Sequence, residues 1–268
     1  LRPASFEPGG EPRPELDLSP DAETRVLVFG SAAEAAAHAA ASFRDGVLAG
    51  SGPFHVALAG GSTPALVFDR LAAAHARDVP WERVEFFFGD ERAVPPDHAA
   101  SNYGLARVHL LERVPARAGA VHRMPAEEED LKAAALRYEE EVRRVVPAGP
   151  AGEPAFDLIW LGLGDDGHTA SLFPGTPALE DTEDLVAPGQ SPDGAARLTF
   201  TLPLIQSARR VQFLVLGRKK AAVVRRILGP PPAGSPLVPL PAARVRPLHG
   251  TLEWVLDREA AEGIAPGR

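Results

Sequence analysis

Apolar residues in this chain fall into short runs that alternate with stretches of helical periodicity. Residues 25–29 form such a run, closed by Gly30 and followed by Ser31 and an alanine-rich stretch to about residue 49. That order predicts a strand, a turn and a helix, with Ser31 as the helix N-cap. The same unit returns at residues 55–59 leading into a helix over 64–76. It returns again at 84–88, followed by a polar loop and a helix near 102–111. Residues 127–146 place Leu131, Ala135, Tyr138 and Val142 on one helical face, and 147–154 is a breaker-rich connection. Two continuous apolar runs, 156–161 and 211–216, predict central strands buried on both faces, the second leading into a helix over about 219–228. Residues 197–202 alternate apolar with polar and predict a peripheral strand, while 230–241 is a proline-rich surface loop. Strands alternating with helices predict a doubly wound α/β fold: a mainly parallel sheet with helices on both faces, some peripheral mixed strands, and ligand sites beyond the carboxyl ends of the strands.

Composition narrows this picture. Five prolines and two glycines within residues 1–20 predict a disordered tail, leaving 21–268 as a single α/β domain. The hydrophobic fraction of 45% and charged fraction of 24% are those of a globular protein with a packed core. No run approaches the roughly 18 apolar residues of a membrane span, and no signal-peptide pattern opens the chain, so a cytoplasmic protein without membrane contacts is expected. Cysteine is absent, which excludes disulfides, a thiol nucleophile and thiolate metal sites. A net charge of −8 argues against a nucleic-acid partner, though a small anion remains compatible if basic residues converge locally.

Three segments at predicted strand ends carry candidate chemistry. Gly60, Gly61, Ser62, Thr63 and Pro64 lie between a strand and a helix, where backbone amides, hydroxyls and the helix amino end suit a phosphate. A capped tight turn without a ligand would use the same residues. Gly89, Asp90, Glu91 and Arg92 follow the next strand. There Arg92 can grip phosphate in bidentate fashion and Asp90 or Glu91 can orient it or a sugar hydroxyl; a solvated acidic turn is the plainer alternative. The third segment, residues 161–174, places three glycines beside Asp166 and His168. Imidazole titrates near neutral pH, so His168 is the natural general base toward water, with Asp166 orienting it or touching substrate. Most histidines are structural, and position distinguishes this one from the other seven. No second histidine at ligand spacing accompanies it, so neither a metal nor another cofactor is expected. Further basic groups are Arg197, which opens a strand, Arg244 and Arg246, and the pair Lys219 and Lys220 behind Gly217. Of these, Lys220 sits near a helix amino end where it would complete a phosphate clamp.

Taken in order, GGSTP (60–64), FFGDERAVPPDHAASNYG (87–104), LGLGDDGHTASLFPG (161–175), RLTFTLP (197–203), VQFLVLGRKKA (211–221) and PAARVRP (241–247) before GTLEWVLD resemble the 6-phosphogluconolactonase family. The resemblance runs from about residue 25 to 262, and the 89–92 and 164–174 segments together are its most specific part. It implies hydrolysis of 6-phospho-D-glucono-1,5-lactone to 6-phosphogluconate in the oxidative pentose phosphate pathway. It also implies His168 as base with Asp166 beside it. Substrate phosphate would be held by Arg92, Lys220, the 61–63 loop and Arg197. The implied partner is a phosphorylated sugar lactone, met by a monomer. Two rivals remain: an amino-sugar-phosphate isomerase or deaminase, which shares the glycine loop and the histidine segment but differs at 90–92 and after the histidine, and a sugar-phosphate sensor that has lost its chemistry.

Overall fold

A computed structural model describes residues 12–230 and 239–264. The first half comprises β1 (Leu16–Asp17), β2 (Thr24–Phe29), α1 (Ala32–Ala49), β3 (Phe54–Leu58), α2 (Ser62–Ala74), β4 (Val84–Phe88), β5 (Asp90–Arg92), α3 (Asn102–Ala106) and α4 (Leu131–Val145). Then come β6 (Leu158–Leu161), α5 (Pro177–Glu180), β7 (Val186–Gln190), β8 (Ala196–Phe200) and α6 (Leu202–Ser207). The described chain closes with β9 (Arg210–Val215), α7 (Ala221–Leu228), α8 (Pro241–Arg244) and β10 (Thr251–Asp257). Ser31 caps α1 as expected, its hydroxyl accepting from the Glu34 amide at 3.2 Å.

Seven strands form one sheet in the order β1-β2-β10-β9-β6-β3-β4, parallel throughout except for β1. After β4 the chain returns to the other side of β3 as β6, paired through Val56 with Leu158 and Ala57 with Ile159. This reversal opens a crevice at the carboxyl ends of β3 and β6, the place where open α/β sheets bind ligands. The two faces are covered by different helices. On β4, Phe86 stacks on Trp81, which also meets Phe43 of α1, whereas the next residue, Phe87, points to the other face and meets Tyr138 of α4. Consecutive strand side chains alternate between faces, so burying both is what makes such strands apolar runs. Each aromatic so buried contributes about 1.5–3 kcal/mol relative to exposure.

Several expectations need correction. Within the stretch read as a disordered tail, Leu16 and Asp17 pair antiparallel with Val28 and Leu27, because the edge of β2 offers unpaired backbone groups that even two residues can satisfy. Residues 1–11 lie outside the described residues, as do 231–238 of the proline-rich loop. The peripheral strand at 197–202 is β8 and ends at Phe200. It belongs to a separate antiparallel sheet, β5-β8-β7, in which the residues after Gly89 form a short strand rather than a loop. The helix expected over 102–111 is α3 followed by a wider π-type turn at Arg107–Leu111. Among the described residues no helix is long and apolar enough to cross a membrane.

Candidate active site

Three of the site segments meet at the crevice because each directly follows a parallel strand. The loop after β3 delivers Gly60 and Gly61 to the amino end of α2. Gly61 adopts φ +101, and no side chain caps that helix, so its first amides remain available to an anion. Gly60 is demanded by a neighbour: a Cβ there would lie 1.7 Å from Asn102 Oδ1.

After β4, Asp90 turns inward and is 8% exposed. Its Oδ1 accepts from Asn102 Nδ2 at 3.1 Å and its Oδ2 from the Ser171 hydroxyl at 2.7 Å. Asp90 therefore ties the β4 loop to the segment that carries His168. Glu91 is not a substrate group but a rivet. It accepts from the amides of Arg92, Asn102 and Tyr103 and from the Ser101 hydroxyl, at 2.7–3.0 Å, pinning the amino end of α3. Burial pushes its carboxyl above the ordinary glutamate range against the pull of those bonds.

Arg92 and Arg197 face each other across β5 and β8. Arg92 donates to the Ala100 carbonyl at 2.5 Å, and the Nε of both arginines is buried without a partner. Neither meets a carboxylate among the described residues. Burial, with the Arg92 charge beside it, depresses the Arg197 guanidinium below its ordinary value. Two adjacent guanidinium groups with unspent donors can offer hydrogen bonds to an anion.

After β6, Gly164 and Gly167 shape a tight turn, with Gly167 at φ +89 and its amide donating to the Gly164 carbonyl at 3.0 Å. The Asp166 carboxylate accepts from the His168 amide at 3.0 Å and pairs with His168 Nδ1 at 2.6 Å. Burial alone would raise Asp166. The two hydrogen bonds from His168 outweigh it and hold the carboxyl below the ordinary aspartate range. With Nδ1–H donated to Asp166, His168 presents Nε2 as the acceptor, and its ring rests 4.3 Å from that of Phe173. Lys220 enters from the turn before α7 and pairs with Asp165 at 2.6 Å, whereas Lys219 is exposed.

Together these segments line a cleft of about 250 Å³. Gly60, Gly61, Ser62, Thr63, Asp90, Arg92, His168 and Lys220 all border it, whereas Asp166 and Arg197 are not part of its lining. Arg244, one of the further basic groups, pairs with Glu180 and does not line the cleft. Sequence reasoning missed Asn102, Ser171 and Thr199, whose hydroxyl accepts from the Ser171 amide at 3.1 Å. Nothing in their local sequence marks them, since each acts on a residue from another segment.

A model of the family described as glucosamine-6-phosphate isomerases/6-phosphogluconolactonase matches residues 30–254. The 6-phosphogluconolactonase of Synechocystis sp. is 43% identical over 211 residues, covering 79% of this chain and 85% of that protein. This chain belongs to the 6-phosphogluconolactonase family. Within it, the solved 6-phosphogluconolactonase of Trypanosoma brucei superposes with a TM-score of 0.77 at 31% identity, covering 90% of this chain and 98% of that one. A monomeric glucosamine-6-phosphate deaminase shares the fold alone, with a TM-score of 0.73 at 23% identity and 88% and 98% coverage. The family is one of lactone hydrolases acting on a sugar phosphate, which suits a cleft joining unspent cationic donors to a histidine with a free ring nitrogen.

Proposed function

We propose that this chain hydrolyses 6-phospho-D-glucono-1,5-lactone to 6-phospho-D-gluconate, the lactone-opening step of the oxidative pentose phosphate pathway, with His168 activating water. The observation that carries the reading is the Asp166–His168 pair at 2.6 Å on the wall of a cleft that also holds the α2 amino end, Arg92 and Lys220. The phosphate docks on those donors and fixes the ring, so that C1 lies near the imidazole. Water gives a proton to His168 Nε2 as its oxygen bonds to C1, and Asp166 steadies the resulting imidazolium. The amide of Ala170, which holds the left-handed φ of +47, has no acceptor among the described residues, whereas that of Thr169 faces Leu172 in a short antiparallel bridge. The Ala170 amide is a suitable donor to the tetrahedral oxyanion. Collapse breaks the bond from C1 to the ring oxygen, which takes the proton from the imidazolium and becomes the C5 hydroxyl. The new carboxylic acid then loses its proton to solvent.

His168→Ala tests the reading. With freshly generated lactone and the spontaneous rate subtracted, kcat is expected to fall by about 10²–10⁴. Turnover close to that of the unmodified chain would remove His168 from the water-activating role.

A further inference from the structure

Lys220 is the cleft cation with a carboxylate already on it. Its root is fixed: Asp257, at the end of β10, accepts from the Gly217 amide at 2.9 and 3.0 Å, and the Lys220 amide donates to the Gly217 carbonyl at 3.0 Å. The side chain then crosses to Asp165 at 2.6 Å. Asp165 makes no other hydrogen bond among the described residues, is 74% exposed at its side chain, and stands outside the cleft that Lys220 lines. It occupies the turn immediately before Asp166, in which Gly167 adopts φ +89, and it makes no hydrogen bond to His168. The carboxylate thus occupies the ammonium of a residue that lines the cleft while lying outside that lining itself.

From this geometry we infer that Asp165 competes with the substrate and product phosphate for Lys220, so that it weakens anion capture and speeds release of the more highly charged product. The inference rests on the proposed lactonase reading for the identity of that product. Hydrolysis adds a carboxylate to an anion already carrying phosphate, so the product is held by the same cations more tightly than the substrate unless something opposes it. When the phosphate leaves, Lys220 returns to Asp165 rather than standing uncompensated, which lowers the barrier to release. The arrangement makes Asp165 a positioning residue that acts through Lys220 without touching substrate.

The test is a double-mutant cycle read by calorimetric binding of 6-phosphogluconate at low ionic strength, with inorganic phosphate as a second probe. Exposed pairs of this kind have modest strength, so Asp165→Asn is expected to tighten the Kd by about two- to fivefold. KM falls in parallel, and the tightening shrinks at high salt. In a Lys220→Met background the same change is expected to leave Kd within about 1.5-fold, because no ammonium remains to be freed. Weaker or unchanged binding by Asp165→Asn overturns the inference. So does equal tightening in the Lys220→Met background, which would mark a general field effect. The inference falls as well if neither anion binds. Tightening with no lactone hydrolysis would refute the lactonase reading and leave the competition standing.

Discussion

Gly164→Ala separates the chemistry of this site from its stability. The ideal Cβ at residue 164 lies 2.0 Å from His168 Nδ1, 2.2 Å from its Cε1 and 2.7 Å from Asp166 Oδ1. Non-bonded carbon contacts settle near 3.5 Å, so the imidazole must retreat by roughly 1.5 Å. That movement breaks the 2.6 Å bond to Asp166, which sets the tautomer and aims Nε2. Backbone strain plays no part, because Gly164 is not among the residues with positive φ. Displacing a reacting group by about 1 Å costs on the order of 10²-fold in rate, and losing a general base costs about 10²–10⁴-fold. A fall in kcat of at least about 100-fold is therefore expected.

The fold should scarcely notice. The displaced groups are side chains with access to solvent, 32% and 39% exposed for His168 and Asp166, so they can move without compressing the core. Loss of one such hydrogen bond costs about 0.5–1.5 kcal/mol, and replacing glycine with alanine returns about 0.4–1 kcal/mol by restricting the unfolded chain. At about 2–4 °C per kcal/mol for a chain of this size, Tm should stay within about 4 °C. The assay is proton release from fresh lactone in weak buffer beside thermal unfolding of the same sample. A variant with more than about a third of normal kcat and an unchanged Tm would refute the argument that the bare Gly164 backbone is what lets His168 sit where it works.

Gly60→Ala should behave oppositely. Its Cβ meets the buried Asn102, which holds Asp90, so chemical denaturation should show a loss of about 2–3 kcal/mol together with loss of activity. Glu253→Gln tests a buried carboxylate outside the cleft lining, which accepts from Gln212 at 2.5 Å, pairs with His38 and takes a hydrogen bond from Arg25. Burial works to raise Glu253, and the bond and charge of His38, with Gln212 and Arg25, outweigh it and hold it low. A carboxyl lowered in the folded state stabilises above its unfolded pKa of about 4.3 and loses that contribution as pH falls through the folded value. The variant should cost about 1–3 kcal/mol near neutral pH, a gap that narrows between pH 5 and 3 in denaturation curves; a gap widening in acid would contradict the assignment.

The central strands were legible because a parallel strand buried on both faces must be a continuous apolar run, and residues 156–161 and 211–216 hold β6 and β9. Strand β10 escaped for the converse reason. Its sequence carries Glu253 and Asp257, which look like surface residues until their partners arrive from elsewhere. Trp160, Gln212, Glu253 and Arg25 form a polar row across four neighbouring strands in register, each donor met by the next acceptor. Asp257 caps backbone amides at residues 217 and 260. Strand β7 contains Pro188 and Gly189, which an edge strand tolerates.

The site divides along the same line. Groups that meet the ligand are contiguous in sequence, because a parallel strand ends in one short loop and the loop must carry its own chemistry. The groups that hold them are remote: Asp90 is bound by Ser171, 81 residues away, and Ser171 by Thr199, 28 residues away. Through them the β4 loop, the His168 segment and the small antiparallel sheet are tied together. A single residue outside the cleft lining, Thr199, therefore joins the arginine pair on β5 and β8 to the segment of the β6 loop that carries His168. That coupling accounts for Asp90, a conspicuous carboxylate among cationic side chains: its oxygens accept from Asn102 and Ser171, so it ties the segments together without forming an ion pair with Arg92 or Arg197 among the described residues.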